Sequence, residues 1–204
     1  MAEAAVSLSL AAAAANAPHG VRLGIDGALA SDTSTVATAV GAAVEAAGRP
    51  VLRVSREDFQ RPRSVRLELG ANDPSAGWER WYDDGALRRE VLDPLGPGGS
   101  MQWLPVLWDA GRDRSARGAR RSAPPGAVVV VDGPYLLRWE LADAFDLIVH
   151  LDVSAAALAR RSDPGTLERT TGSWREYVEQ TAPADRAAYV VRLEDPSHPA
   201  LVTP

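Results

Sequence analysis

Five short apolar, β-branched runs punctuate the chain: VRLGI (21–25), VLRVS (51–55), LPVLW (104–108), AVVVVD (127–132) and DLIVHLD (146–152). Nearly continuous apolar runs of this length predict strands of a parallel sheet covered on both faces. Between the first two lies TVATAVGAAVEAAG, rich in Ala and Val and closed by Gly48-Arg49-Pro50. That pattern predicts a helix with a glycine stop, and hence a βαβ unit. DPLGPGGS (93–100) and RSARGARRSAPPG (114–126) are turn-rich and read as exposed loops, the arginine cluster at 112–121 as a solvated segment before a buried strand. EDPSHPALVTP reads as a Pro-rich terminal run, and no internal repeat is present. The expected architecture is α/β: one domain over residues 1–204, with a parallel sheet of about five strands flanked by helices.

Composition narrows the function. The formal charge of −5 argues against nucleic acid or an anionic membrane as partner, because phosphate surfaces attract basic ones. A small-molecule substrate is expected instead, and a homo-oligomer is left open. The chain has no cysteine, which removes disulfides, thiolate chemistry and Cys-based metal sites and fits a cytoplasmic home. Residues 1–20 read as an Ala-rich N-terminal helix or extension rather than a signal peptide, since Glu3 stands where a basic n-region would be. No run of 18 apolar residues follows. All 22 basic residues are arginine, so no mechanism here can use a lysine.

The stretch GIDGALASDTST (24–35) joins the first strand to its helix. A Walker A loop, G-x-x-x-x-G-K-[ST], cradles phosphates with backbone N–H groups and a helix N-terminus, while its Lys meets the β/γ-phosphates and its hydroxyl holds Mg²⁺. On this sequence the frame starts at Gly27. Asp32 then falls on the second glycine, Thr33 on the lysine and Ser34 on the hydroxyl, with Thr35 following. A unit charge change at contact distance is worth about 4 kcal/mol at an effective dielectric near 20, so each of the first two replacements weakens a phosphate grip severely.

Over nearly its whole length the sequence resembles the bacterial uridine-kinase-like branch of the P-loop kinases. The resemblance rests on VRLGIDG, VLRVSREDFQRPR, YDDGALRREVLDPLGPGG, APPGAVVVVDGPYLLRWEL and DLIVHLDV. It implies that Glu57, opening the acidic pair Glu57-Asp58 before Phe59, is the general base toward an acceptor hydroxyl, that Asp132 helps to organise Mg²⁺, and that Ser34 is the metal-side hydroxyl. It also implies a mobile lid of phosphate-clamping arginines, R-Y-x-R-R before Pro-Ala. Here that stretch is Glu176-Tyr177-Val178-Glu179-Gln180 before Pro183-Ala184, so residues 155–187 are expected to form a reduced lid.

Glu57, Asp58 and Asp132 are therefore the catalytic candidates. Asp26, Phe59, Trp78, Trp81, Tyr82 and Tyr135 are the substrate-binding candidates, since strand ends form the ligand crevice of open α/β sheets and Trp78 and Trp81 fall where the family binds its acceptor. Gly27, Asp32, Thr33, Ser34 and Thr35 make up a degenerate nucleotide loop. His19, His150 and His198 lack metal-ligand spacing, and no metal site is expected; His150, inside a strand, reads as a core residue. Three functions stay open. In the first, an enzyme keeps the kinase fold and acceptor pocket, abandons ordinary ATP-dependent phosphoryl transfer and uses its carboxylates for acid/base chemistry. In the second, a nucleoside-type kinase holds ATP and Mg²⁺ through backbone amides, Ser34 and an arginine such as Arg160 or Arg161. In the third, a pseudokinase binds without turnover.

Overall fold

The computed structural model describes residues 20–195 and 199–202; the Ala-rich stretch, His19 and His198 lie outside the described residues. Ten strands follow in chain order: β1 Val21–Gly27, β2 Val51–Ser55, β3 Gln102–Trp103, β4 Trp108–Asp109, β5 Arg114–Ser115, β6 Arg121–Ser122, β7 Val128–Gly133, β8 Leu147–Asp152, β9 Tyr189–Arg192 and β10 Ala200–Val202. Six of them form one sheet in the order β10-β9-β8-β1-β7-β2. All its neighbours pair parallel except β10, which runs antiparallel to β9. Every residue of β1 and β7 is buried, which is why these two read as continuous apolar runs.

Two expectations need correction. LPVLW (104–108) is not a strand of this sheet: Pro105 interrupts it, and only its flanks pair, in two-residue ladders β3–β6 and β4–β5. The Pro-rich tail, in contrast, contributes β10 at the sheet edge, where a short strand tolerates neighbouring prolines.

Helix α1 (Thr33–Ala46) covers one face of the sheet with Val36, Ala37, Val40, Gly41 and Val44 buried, an i, i+4, i+8 stripe with its i+1 neighbours. It stops at Gly48, whose φ of 84° is open to glycine at little cost. Helix α2 (Pro74–Glu79) packs on α4 (Leu167–Thr181), which meets the sheet through Trp174 on His150 and Tyr177 on Asp26, and α3 (Ala155–Arg161) follows β8. Helix α4 carries the segment expected as lid, yet it is packed: Tyr177 is fully buried, and Glu176 accepts hydrogen bonds from Trp78 Nε1 (3.1 Å) and Ser75 Oγ (3.0 Å) of α2. Glu176, which stands in the stretch expected to form the reduced lid, ties the two helices together.

Register sets the site. Asp26 lies beside Gly133 on one side and His150 on the other, while Ile25 and Ser55 both lie beside Asp132. The carboxyl ends of β1, β2 and β7 thus bring the loop 28–32, Glu57 and Asp132 to one crevice.

Candidate functional site

The loop after β1 is built tightly. Ser31 is fully buried and its hydroxyl donates to the Ala28 carbonyl, while a side chain at Gly27 would meet Ser31 Oγ at 2.8 Å, Leu151 Cβ at 3.0 Å and Thr33 Cγ2 at 3.0 Å. Asp32 caps α1 with φ 53° and ψ 38°, the left-handed region favoured by glycine, and its carboxylate makes no capping hydrogen bond. Aspartate is among the non-glycine residues that enter this region most readily. Thr35 donates its N–H to the Asp32 carbonyl (3.0 Å) and belongs to the helix.

Under this loop lies a cavity of about 250 Å³ lined by Leu29, Asp32, Thr33, Ser34, Ser55, Glu57, Asp132, Gly133 and Pro134. Three carboxylates face it and no basic residue does. A second cavity of about 660 Å³ opens beyond Glu57; Asp58, Gln60, Trp108 and Arg121 are among its walls. Glu57 lines both, and so stands at the boundary between them.

Glu57 is fixed in place. Tyr82 Oη donates to its Oε1 and Gln60 Nε2 to its Oε2, and the buried Arg56 guanidinium lies over the Tyr82 ring at 4.5 Å. Asp58 differs: its carboxylate has no hydrogen-bond partner among the described residues, and burial, then the charges of Glu57 and Asp132, raise its pKa above the ordinary carboxylate value. Asp132 is raised as well, by desolvation, against the opposing pull of Arg53. Arg53 Nη2 donates to Asp132 Oδ1 at 2.9 Å, and the same guanidinium reaches Thr38 Oγ1 (3.0 Å) and the Ser34 carbonyl (3.4 Å) of α1. Arg53 was missed in the sequence, although a charge inside the strand VLRVS already required a partner.

The substrate-binding candidates divide sharply. Asp26 is completely buried and its carboxylate is used inside the protein: it accepts from the Leu136 N–H (2.8 Å) and Tyr177 Oη (3.0 Å), and His150 Nδ1 lies 2.7 Å away. His150 in turn stacks on Trp174 with ring centroids 5.7 Å apart. Phe59, Trp78 and Tyr135 are buried core residues, and Tyr82 reaches the site only through its hydroxyl. Trp81 lies between two guanidinium groups, Arg66 at 5.0 Å and Arg169 at 3.7 Å, and lines neither cavity. Trp78 and Trp81 were expected as a pocket wall because they fall where the resembled family binds its acceptor; Trp78 instead packs against α4, and Trp108 is the tryptophan on the lining of the larger cavity.

Arg169 is 8 % exposed with its Nε unpartnered, and burial lowers its pKa. It lines a third cavity of about 210 Å³ with Arg161, Thr166 and Thr170, against Leu29 and Ala30 of the loop. Among the described residues no group of three or more His, Cys, Asp and Glu could hold a metal ion, and no helix is long and apolar enough to cross a membrane.

No protein-family model matches the sequence, and no match to a curated protein is found. The fold does have solved counterparts. A protein described as a possible uridine kinase from Bacillus stearothermophilus superposes with a TM-score of 0.73 at 20 % identity, covering 92 % of this chain and 97 % of that one. D-glycerate 3-kinase from Cryptococcus neoformans var. grubii superposes at 0.56 and 14 % identity, covering 94 % of each. At such identities the likeness is one of architecture: the chain has the α/β fold of these small-molecule kinases.

Proposed function

We propose that the protein is a small-molecule enzyme on a kinase fold, acting through Glu57 and Asp58 on a ligand in the larger cavity, and that its loop 27–35 is a phosphate loop without the ordinary grip on ATP. The carrying observation is the lining of the loop cavity: Asp32, Glu57 and Asp132 line the space where a P-loop would hold phosphates, and among the described residues no basic residue lines it, Arg53 standing behind Asp132 as its ion-pair partner. An uncompensated carboxylate there, such as that of Asp32, opposes a phosphate oxygen by about 4 kcal/mol at 4 Å and an effective dielectric near 20. Asp132, the Mg²⁺-side carboxylate of the resemblance, is already neutralised by Arg53. The donor set does not fit Mg²⁺·ATP, and no step of the chemistry is assigned to it.

What remains is acid/base chemistry. Tyr82 and Gln60 orient Glu57, and Asp58, whose pKa burial and the neighbouring carboxylates raise, is the group that carries a proton to or from a ligand hydroxyl. The names of the structural neighbours, a uridine kinase and a glycerate kinase, support a small acceptor in this cavity.

A second reading has its own observation. Arg161 and Arg169 line the cavity beside Leu29 and Ala30, which supports a kinase that holds phosphates from the far side of the loop. Calorimetry with ATP·Mg²⁺ separates the two. The first reading expects no heat from the wild type and binding in Asp32→Gly/Thr33→Lys; tight binding to the wild type, with ADP formed from a nucleoside panel, overturns it.

A further inference from the structure

The arginine-rich segment 112–121 is a wall of the larger cavity, and its charges are not equivalent. Arg112 is tied to Asp109 through its backbone N–H (3.0 Å) and its guanidinium (3.0 Å), so the Asp109 charge at the cavity rim is compensated. Arg120 pairs with Glu90. Arg121, on β6, lines the cavity and has no ion-pair partner among the described residues. On the lining with it are Asp58, whose carboxylate is unbonded and protonatable, and Glu57, whose two oxygens are already held. Trp108, Pro105 and Val106 give the space an apolar side.

We propose that this cavity takes a hydroxylated small molecule that also carries an anionic group, a carboxylate or a phosphate, with the anion on Arg121 and a hydroxyl on the Asp58 side. The proposal rests on the acceptor-cavity reading given above and adds the class of ligand to it. An anion beside Asp58 and Glu57 meets like charge, whereas at Arg121 it meets an uncompensated guanidinium that presents a planar fork of donors. With Arg121, Asp58 and Trp108 on one lining, the orientation that avoids like charge turns the anion toward Arg121 and a hydroxyl toward Asp58, with the carbon body left to the apolar residues. A volume of about 660 Å³ accommodates such a ligand.

Isothermal titration calorimetry on the full chain tests this with matched pairs, D-gluconate against D-glucitol and glycerol 3-phosphate against glycerol. At low salt the anionic member of a pair binds at least about tenfold tighter than its neutral partner, and Arg121→Gln lowers its affinity about ten- to hundredfold, the range of one charge-assisted hydrogen bond. The neutral partner is unchanged by Arg121→Gln, and Arg114→Gln, on the same segment but outside the cavity lining, changes neither. The preference between gluconate and the phosphate ester decides which anion is taken. Equal binding of both members, or an anion preference that survives Arg121→Gln, overturns the inference while the acceptor-cavity reading stands. If no member of either pair binds, both fall.

Discussion

Replacing Asp26 by alanine removes the acceptor at the centre of the buried end of β1. Its carboxylate receives the Leu136 N–H at 2.8 Å and Tyr177 Oη at 3.0 Å, lies 2.7 Å from His150 Nδ1, and is 0 % exposed. The Leu136 N–H and Tyr177 Oη lose their acceptor and His150 Nδ1 loses its partner, in three separate segments. An unsatisfied buried donor costs about 1–3 kcal/mol, so three buried groups left without their partner cost several kcal/mol. The cavity left behind lets the rings shift and recovers part of this, so about 3–5 kcal/mol is expected in total. Against a typical stability of about 5–15 kcal/mol that is a third or more of the fold. Urea denaturation followed by tryptophan fluorescence measures it, since Trp174 stacks on His150; the midpoint falls and the slope stays constant. Asp26→Asn keeps one acceptor and loses less. If Asp26→Ala unfolds within about 1 kcal/mol of the wild type while ligand affinity collapses, Asp26 is a pocket residue after all and the structural argument is refuted.

Asp58 gives a pH dependence with a fixed sign. Its folded-state pKa is raised, so the native state binds the proton more tightly, and stability falls as pH rises from the ordinary carboxylate value through the raised one. Asp58→Asn is therefore more stable than the wild type at neutral pH and indistinguishable in acid; melting temperatures across the acid range check this, and a difference independent of pH contradicts it. Gly27→Ala places a methyl against Ser31 Oγ, Leu151 Cβ and Thr33 Cγ2 and is expected to cost about 1–3 kcal/mol by overpacking. A thermal shift with no change in melting temperature would show that the loop gives way.

Much of the framework is legible in the chain because it depends on local pattern. Val128–Val131 and Leu23–Ile25 are apolar on both faces, and only a central parallel strand accepts that. The stripe Val36, Val40, Val44 with Gly48 beyond it specifies α1 and its end. Glu57 follows β2 and Asp132 lies near the carboxyl end of β7, and strand ends of such a sheet meet in a crevice, so their convergence was foreseeable. Asp32 falls at the turn between β1 and α1, as the strand-to-helix pattern expects, with a φ of 53°.

Which polar residues are spent inside the protein is a different matter, because sequence position does not say what lies opposite. Asp26 and Glu57 are both acidic residues at strand ends; Asp26 meets His150, Tyr177 and a backbone N–H in the core, while Glu57 meets two cavities. Trp78 and Trp81 sit in a polar stretch, yet helix α4, a hundred residues away in sequence, covers them. Arg121 and Arg112 are equivalent in composition, and only the pairing of β3 with β6 and of β4 with β5 turns one toward a cavity and the other onto Asp109. Periodicity fixed which segments are buried, because burial of apolar area is nearly additive along an element. The partners of each charge were decided by tertiary structure alone, because desolvation makes the value of a polar group depend on the few atoms that happen to face it.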